Sequence, residues 1–217
     1  MLKKIVLLGA PGAGKGTHGE VLCRELNIPR ISTGDLLREA VQNRTEIGLR
    51  VEALMPTGQL ISDEIVMELL AERLQRPDCA EGFLLDGFPR TQAQARMLQD
   101  GSVAVEAVIE LIVPDDVIID RMAGRRIHAP SGRSYHLTLR PPAKEGVDDV
   151  TGEPLTCRPD DEASVVIKRL AIYHDQVGPI LGFYRGLPEA LRPRLATVDA
   201  DRNMPEVQDE LFRLLDA

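Results

Sequence analysis

The feature of this sequence that most constrains its fold is a glycine-rich loop close to its start, Gly9-Ala10-Pro11-Gly12-Ala13-Gly14-Lys15-Gly16-Thr17. The loop follows an apolar run that predicts a strand over residues 4–8, and it opens a helix predicted from Lys15. In such a loop, successive backbone N–H groups turn toward phosphate oxygens, the helix N-terminus adds partial positive charge, and the lysine reaches the β- and γ-phosphates. The sequence therefore predicts a P-loop that binds a nucleoside triphosphate.

The phosphate-binding residues of this loop are predicted to be Gly12, Ala13, Gly14, Lys15, Gly16 and Thr17. Gly16 follows the lysine where a strict P-loop has Ser or Thr, and Thr17 comes one position later. We therefore expect the Mg²⁺ that accompanies the nucleotide to be held mainly by the nucleotide itself and by waters.

Short β-rich runs alternate with longer helical patterns along the chain, which is typical of a parallel α/β sheet. Nearly continuous apolar runs, as expected for strands covered on both faces, predict strands at 4–8, 29–32, 83–86, 105–113 and 195–198. Helices are predicted at 15–26, 35–41, 47–57, 63–75, 92–99, 115–124, 161–183 and 205–215. The fold class is therefore α/β, with a five-stranded parallel sheet and flanking helices.

Two segments interrupt this alternation. Residues 32–61, called the insert below, form a helical excursion between the second and third strands. Residues 127–160, called the lid, are rich in Gly and Pro with regularly spaced turn signals. A disordered loop is one alternative for the lid, but so long a segment inside a compact chain is more often functional, so we expect a small β-rich unit. The core domain is then 1–31, 62–126 and 161–217.

Composition excludes several classes of protein. The chain has 26 basic and 34 acidic side chains, and this net charge of −8 opposes non-specific attraction to nucleic acid or to an anionic membrane. No apolar run approaches the ~20 residues of a membrane span. Three cysteines that lie far apart, without a C-x-x-C pair, argue against a disulfide framework and a cysteine zinc site. We expect a soluble cytoplasmic protein.

The third predicted strand ends in Asp86, which places a carboxylate at the carboxyl edge of the sheet, where open α/β folds bind ligands. A lone Asp at a strand end more often caps a turn than serves a metal ion. Because a P-loop precedes it, we favour a role for Asp86 at the magnesium nucleotide, similar to that of a Walker-B carboxylate.

Four further motifs carry a resemblance to a known family: Ile31-Ser32-Thr33-Gly34-Asp35-Leu36-Leu37-Arg38, Asp86-Gly87-Phe88-Pro89-Arg90, Gly124-Arg125-Arg126-Ile127-His128 and Thr156-Cys157-Arg158-Pro159-Asp160-Asp161. Together with the P-loop, they resemble the successive motifs of adenylate kinase in order and spacing, over essentially the whole chain. The long lid resembles that of the long-lid bacterial form. The resemblance implies a P-loop NTPase fold with an AMP-binding insert and a lid.

The resemblance also implies which residues bind the nucleotides. The AMP site would consist of Thr33, Arg38, Gln59, Leu60, Ile61, Gly87, Phe88, Pro89, Arg90 and Gln94, with Gln94 placed to read the adenine edge. ATP would be contacted outside the P-loop by Arg121, Arg125, Ser134, Tyr135 and His136, and by Arg202 largely through its backbone. Arg158 and Arg169 would clamp the phosphoryl group in transfer and so border the AMP site.

The implied reaction is MgATP + AMP ⇌ 2 ADP, which maintains the balance of adenine nucleotides. The attacking phosphate oxygen of AMP is already anionic near neutral pH, so no protein base is required. Catalysis would come from positioning and charge neutralisation. The residues implied in this role are Lys15, Asp86, Arg90, Arg125, Arg158 and Arg169. We expect a monomer whose partners are ATP, AMP and ADP, without nucleic acid or membrane.

Three alternatives stay open at this point. A pyrimidine or other nucleoside monophosphate kinase shares the scaffold, although the carboxamide of Gln94 suits the donor and acceptor edge of adenine. A P-loop GTPase switch is disfavoured because the chain has no Asn-Lys-x-Asp motif and Asp86 does not begin a D-x-x-G motif. A nucleotide-binding protein without catalytic activity would leave the set of arginines unexplained.

The lid spacing also raises the question of zinc. His128, Ser131, Asp148 and Thr151 occupy positions where some members of the resembled family place four cysteines, or three and an aspartate, around Zn²⁺. Neutral Ser and Thr hydroxyls are weak ligands for this ion, so we expect no zinc here. We expect instead a hydrogen-bonded set in which imidazole and hydroxyl donors surround the Asp148 carboxylate.

Overall fold

The centre of the molecule is a five-stranded sheet in which every pair of neighbouring strands is parallel. The structure is a computed structural model, which describes residues 1–216. The strands of the chain are β1 (Lys4–Gly9), β2 (Arg30–Ser32), β3 (Phe83–Asp86), β4 (Ala107–Ile112), β5 (Arg125–Ile127), β6 (Ser134–His136) and β7 (Arg194–Asp199). The order in the sheet is β2-β3-β1-β4-β7, and β5 pairs with β6 in a separate antiparallel ribbon.

Eight α-helices are found within the described residues: α1 (Lys15–Leu26), α2 (Thr33–Gln42), α3 (Glu46–Val51), α4 (Asp63–Leu74), α5 (Gln92–Asp100), α6 (Asp115–Ala123), α7 (Ala163–Arg185) and α8 (Met204–Leu215). Short 3-10 turns lie at Met55–Thr57, Pro77–Cys79, Pro159–Asp161 and Glu189–Leu191. None of these helices combines the length and apolarity needed to cross a membrane.

Each face of the sheet is covered by its own hydrophobic core, because successive side chains of a strand point to opposite faces. One core contains Ile5 and Leu7 of β1 and is completed by helices α1, α6 and α8. The other core contains Val6 and Leu8 and is completed by α4 and α5. Helix α7 contributes to both cores. The centre of the sheet is therefore rigid, and the carboxyl ends of its strands have fixed positions.

Polar caps set the starts of four helices. The side chains of Ser32, Thr45, Thr91 and Asn203 accept hydrogen bonds from the backbone N–H groups three residues later, at the starts of α2, α3, α5 and α8. Such caps satisfy backbone donors that a helix leaves unpaired at its N-terminus. Ser32 explains why α2 begins at Thr33, two residues before the predicted start.

The insert and the lid have the expected kinds of secondary structure. The insert contains α2, α3 and the 3-10 turn Met55–Thr57. The lid contains β6 and isolated bridges that join Ile127 to Thr156, His136 to Arg140 and Val147 to Pro154. The five strands of the sheet overlap the predicted ones, and the prediction of a parallel α/β sheet with flanking helices is confirmed. The domain boundaries stay a prediction.

The predicted helix 47–57 is wrong in its second half. Helix α3 ends at Val51, and the chain reaches Gly58 through a turn and the 3-10 turn Met55–Thr57. Pro56 has no backbone N–H and disfavours helical dihedrals at the residue before it, so the helix cannot continue there. Similarly, the long helix predicted at 161–183 begins only at Ala163, after the 3-10 turn Pro159–Asp161.

A close helix contact in the insert yields the first prediction. A Cβ at Gly48 of α3 would overlap the carbonyl oxygen of Ala40 in α2. Gly48→Ala should therefore destabilise the protein by about 1–3 kcal/mol, as overpacking does, measured by urea unfolding.

The control is Gly182→Ala in α7, where a Cβ would meet no atom within 4 Å. This change should stabilise the protein by about 0.4–1 kcal/mol, because alanine restricts the unfolded chain. Equal effects of the two substitutions would contradict the close packing of α2 against α3.

Candidate active site

A cleft with a volume of about 520 Å³ opens at the carboxyl edge of the sheet. The P-loop lies on one side of it, the insert contributes residues such as Arg38 and Leu60, and the lid contributes residues such as Ser134 and His136. Helix α7 supplies Arg169 and Tyr173. The cleft is thus bordered by the core, the insert and the lid together.

The P-loop has the backbone geometry that a phosphate cradle requires. Gly12 and Gly14 have φ values of 86° and 91°, in the left-handed region that residues with a Cβ rarely adopt. Nζ of Lys15 donates to the carbonyl oxygens of Gly9 at 2.7 Å and of Ala10 at 2.8 Å. Desolvation lowers the pKa of Lys15 to about 8, although the nearby Asp86 acts in the opposite direction. The lysine is held at the loop in a poorly solvated position.

Most of the predicted P-loop residues face the cleft. Gly12, Gly14, Lys15, Gly16 and Thr17 line it. Ala13 does not; it is fully buried below the loop, where its N–H donates to the Ala10 carbonyl at 3.1 Å.

Several of the predicted arginines converge on the same cleft and are poorly solvated there. Desolvation lowers the pKa of Arg90 to about 10, and Arg169 lowers it further. Desolvation also lowers the pKa of Arg158 to about 10, assisted by Arg38 and Arg125. The pKa of Arg169 is lowered by desolvation too, with Asp160 opposing. Positive charges that are removed from water and close to one another favour a polyanionic ligand.

Aspartates hold these guanidinium groups in place. Arg169 contacts Asp160 at 2.6 Å, and Arg125 forms an ion pair with Asp161. The carboxylate of Asp35 contacts Arg38 at 2.5 Å and Arg158 at 3.6 Å.

These three aspartates were not predicted as site residues, although all of them lie inside the motifs that carry the family resemblance. Their position beside the named arginines of those motifs is the signal that could have identified them. Ion pairs between arginines and aspartates therefore hold the walls of the cleft.

Asp86 lies at the end of β3 on the cleft wall, as predicted. Its Oδ2 accepts a hydrogen bond from Nη1 of Arg30 at 2.7 Å. Arg30 also lines the cleft and was missed by the sequence analysis, since nothing in its local sequence distinguishes it from a surface arginine.

The residues predicted for the AMP site divide into two groups. The first group lines the cleft and consists of Leu60, Gly87, Pro89 and the arginines Arg38, Arg90, Arg158 and Arg169. The structure does not place the remaining ones on the cleft wall, namely Thr33, Gln59, Ile61, Phe88 and Gln94.

Two of these remaining residues are committed to hydrogen bonds within the core. Nε2 of Gln94 donates to Asp63 at 2.8 Å, its Oε1 accepts from the Arg90 N–H at 2.7 Å, and the residue is 1% exposed. Thr33 is also buried, and its hydroxyl donates to the Gly87 carbonyl at 3.0 Å. Both therefore support the loop that carries Arg90, and the reading of adenine by Gln94 stays a prediction.

The residues predicted on the ATP side all line the cleft: Arg121, Arg125, Ser134, Tyr135, His136 and Arg202. Arg121 is fixed by Asp201 at 3.0 Å, and Nε of Arg202 donates to the Asp199 carbonyl at 3.0 Å. Apolar side chains of Leu139 and Met204 border this region as well. Neither was predicted from the sequence, because one leucine in a turn or one methionine at the start of a helix carries no distinctive signal.

The lid contains the predicted polar cluster. The imidazole of His128 is hydrogen-bonded through Nδ1 to the Ser131 hydroxyl at 2.7 Å. Thr151 donates to Oδ2 of Asp148 from both its hydroxyl, at 2.9 Å, and its backbone N–H, at 2.8 Å. However, Nδ1 of His128 is 3.9 Å from Asp148, too far for a hydrogen bond. The cluster forms, but the histidine does not donate to the carboxylate as predicted.

Three further side chains complete this cluster, and none of them was predicted to belong to it. Arg133 binds Asp148 with two hydrogen bonds of 2.7 and 2.6 Å, and the Tyr135 hydroxyl donates to Asp148 at 2.9 Å. Nε2 of His128 contacts Glu153 at 2.6 Å. A bidentate arginine therefore supplies most of the positive charge around Asp148. Within residues 1–216, no three His, Cys, Asp or Glu side chains come together as a metal site.

A parallel sheet that presents a P-loop to an arginine-lined cleft under a lid defines a nucleoside monophosphate kinase. A model of the family described as adenylate kinase matches residues 7–187. The adenylate kinase of Sodalis glossinidius (strain morsitans) is 50% identical over 212 residues, which cover 98% of this chain and 99% of that protein. The adenylate kinase of Photorhabdus laumondii subsp. laumondii is 49% identical over 213 residues, with 98% and 100% coverage. The chain belongs to the adenylate kinase family, as the resemblance implied.

The lid cluster yields the second prediction. Hydrogen bonds from Arg133 hold the pKa of Asp148 well below its usual range, despite the opposing effect of burial. A carboxyl with a lowered pKa in the folded state stabilises the protein at pH values above about 4 and loses this effect as the pH falls further. Asp148→Asn should therefore lower the Tm at pH 7, and the difference from wild type should shrink below about pH 4.

Thermal unfolding followed by circular dichroism across this pH range measures the effect. Glu145→Gln, an exposed substitution in the same lid, is the control and should change the Tm little. A Tm difference for Asp148→Asn that stayed constant down to the acid limit would show that the carboxylate charge contributes nothing.

Proposed function

We propose that the chain catalyses the reversible transfer of the γ-phosphoryl group from MgATP to AMP, giving two ADP, and so serves adenine nucleotide homeostasis. The observation that supports this best is the group of poorly solvated cations around one cleft, Lys15, Arg90, Arg158 and Arg169. Such a site favours a ligand with many phosphate charges, and two nucleotides that meet at their phosphates supply them.

The donor nucleotide binds with its phosphates in the P-loop. The backbone N–H groups from Gly12 to Thr17 contact the phosphate oxygens, and Lys15 exchanges its two carbonyl partners for the β- and γ-phosphates. The base lies toward Arg121, His136 and Arg202, where Leu139 and Met204 offer apolar contact. Mg²⁺ would arrive with ATP, held mainly by the phosphates and by waters, and the Asp86 carboxylate on the cleft wall would attract it.

The acceptor phosphate lies between the insert and the core. Arg38 of the insert and Arg90 of the loop after β3 line the cleft on this side, and both carry donors suited to a phosphate. For Gln94 to read the adenine edge, its amide must share or leave its hydrogen bond to Asp63. Thr33 and Phe88 act through the position of the loop that carries Arg90.

Transfer requires no protein base, because the attacking oxygen of AMP is anionic. Lys15, Arg90 and Arg125 neutralise charge that spreads over the transferring phosphoryl group. Arg158 does the same from the lid, and Arg169 does so from α7. The aspartates that pair with the arginines hold these groups in position, so little reorganisation is needed when the two nucleotides meet.

Exclusion of water is the second requirement, since water would otherwise accept the phosphoryl group. The lid already approaches α1, where Arg140 lies 3.9 Å from Glu20. The 3-10 turn Met55–Thr57 of the insert contacts the turn Pro159–Asp161 at the end of the lid. We propose that both segments close over the bound nucleotides.

We further propose that the protein acts as a monomer in the cytoplasm, on small nucleotides and without a nucleic-acid or membrane partner.

The lid carries no zinc in this proposal, because Arg133 and the hydroxyls of Ser131 and Thr151 occupy the positions around His128 and Asp148. Elemental analysis of the untagged protein should find well under one zinc per chain, and a stoichiometric, chelator-sensitive zinc would contradict it.

The third prediction concerns the acceptor. AMP should give the largest kcat/KM in a panel of AMP, UMP, CMP and GMP, measured by a coupled assay of ADP formation from ATP. The rival is a pyrimidine or other nucleoside monophosphate kinase on the same scaffold. A larger kcat/KM for UMP or CMP than for AMP would favour that rival.

The fourth prediction concerns Arg90. Arg90→Lys should lower kcat by about 10²–10³-fold, because an ammonium retains the charge but cannot make two parallel contacts to a phosphate. Steady-state kinetics with saturating ATP and AMP measure this loss.

The matched control is Arg96→Lys on α5, an exposed arginine that lies over the ring of Phe183 at 5.7 Å. It should leave kcat near the wild-type value. If Arg90→Lys were as active as this control, Arg90 would have no role in transfer.

A further inference from the structure

Arg30, the first residue of β2, lies between two carboxylates that belong to different parts of the cleft. Its Nη1 donates to Oδ2 of Asp86 at 2.7 Å, and its Nη2 lies 3.3 Å from Oδ2 of Asp35. Asp86 ends β3 in the core domain, whereas Asp35 lies in the first turn of α2 in the insert. A single guanidinium therefore links a donor-side carboxylate to the acceptor-binding insert.

Helix α1 is shaped to accommodate the Arg30 side chain. A Cβ at Gly19 would lie 3.2 Å from Cδ of Arg30, and one at Gly16 would lie 3.5 Å from its Nη1. The two glycines leave a shallow groove along which the arginine reaches Asp86. Its side chain is 24% exposed, so the guanidinium is held by its partners and is not a freely solvated surface group.

The charges around Arg30 show how strongly it is held. Burial acts to lower the pKa of Arg30, but Asp86 and Asp35 outweigh burial and raise it. Asp35 is also bound by Arg38 and Arg158, so it has several cationic partners. Asp86 depends more on Arg30, because the two other cations that act on it are directed elsewhere: Lys15 donates to the carbonyls of the P-loop, and Arg90 donates to the Gly87 carbonyl.

The position of Asp86 makes this pairing important for nucleotide binding. An unpaired carboxylate at the P-loop repels the phosphates of a metal-free nucleotide and attracts a nucleotide that carries Mg²⁺. When a guanidinium binds one oxygen of the carboxylate, the orientation of the carboxylate is fixed. Its repulsion of metal-free nucleotide and its attraction of nucleotide that carries Mg²⁺ are then both weaker.

We propose that Arg30 is a positioning residue that acts through Asp86: it fixes the orientation of this carboxylate and moderates the preference of the donor site for nucleotide that carries Mg²⁺. The inference rests on the proposed function, in which the P-loop receives the magnesium nucleotide. It adds a residue that no motif of the sequence indicated, and it assigns Gly19 a purpose, since a side chain there would crowd the arginine.

The test is the affinity for ATP in the absence of AMP, measured by isothermal titration calorimetry with excess Mg²⁺ and again with EDTA. The ratio of the Kd in EDTA to the Kd in Mg²⁺ reports the metal preference and is not a measure of activity. Arg30→Gln should raise this ratio about fivefold or more, because Asp86 loses its cation. Arg24→Gln, which removes an exposed positive charge from α1, should leave the ratio unchanged.

A double-mutant cycle with Asp86→Asn shows whether Arg30 acts through Asp86. In the Asp86→Asn background, Arg30→Gln should change the ratio by less than about twofold, since the pair is already broken. An equal rise in both backgrounds would show that Arg30 acts only through its general charge, and no rise in either would also overturn the inference.

Arg30→Lys provides a second variant, which retains a cation if Arg30→Gln fails to fold. A single ammonium can still neutralise Asp86 but cannot bridge to Asp35, so the Kd ratio should stay near wild type while the KM for AMP rises. A Kd ratio for Arg30→Lys as high as that expected for Arg30→Gln would overturn the inference. If wild-type protein bound ATP but did not phosphorylate AMP, the proposed function would fail independently of these comparisons.

Discussion

The active-site cleft concentrates positive charge where the charged groups are poorly solvated, and the rest of the structure has to stabilise this arrangement. Lys15, Arg90, Arg158 and Arg169 border one cleft, and desolvation lowers the pKa of each of them. Charged groups removed from water are costly unless counter-charges are close. Aspartates supply part of this compensation, and the phosphates of bound nucleotides would supply the rest. Bound nucleotides would therefore lower the electrostatic cost of holding these cations close together.

The fold meets this requirement through the geometry of a parallel sheet. The carboxyl ends of its strands meet at one edge, so the P-loop after β1, Asp86 of β3 and the start of the insert after β2 are neighbours in space. Two buried cores hold the central strands rigid, while the insert and the lid are attached at the same edge. A rigid base with two segments around the cleft suits a reaction that must admit nucleotides and then exclude water.

Local patterns in the sequence predict much of this arrangement, and tertiary contacts account for what they miss. The five strands and the P-loop follow from apolar runs and glycine spacing, which are properties of neighbouring residues. The pairing of Arg30 with Asp86 joins residues 56 positions apart, and the pairing of Arg133 with Asp148 joins residues 15 apart, so neither leaves a local signal. Gln94 shows the same limit: its motif indicates a ligand contact, but its burial and its bond to Asp63 emerge only when α4 and α5 pack together.

We expect the cleft to pass a phosphoryl group directly from one nucleotide to another while excluding water. The most direct measurement is a ³¹P NMR time course of ATP mixed with AMP and Mg²⁺, in which ADP and inorganic phosphate are resolved. We expect each ATP consumed to give two ADP, with AMP falling in step and inorganic phosphate staying near the background. Release of inorganic phosphate at the rate of ATP loss, with AMP unchanged, would contradict it.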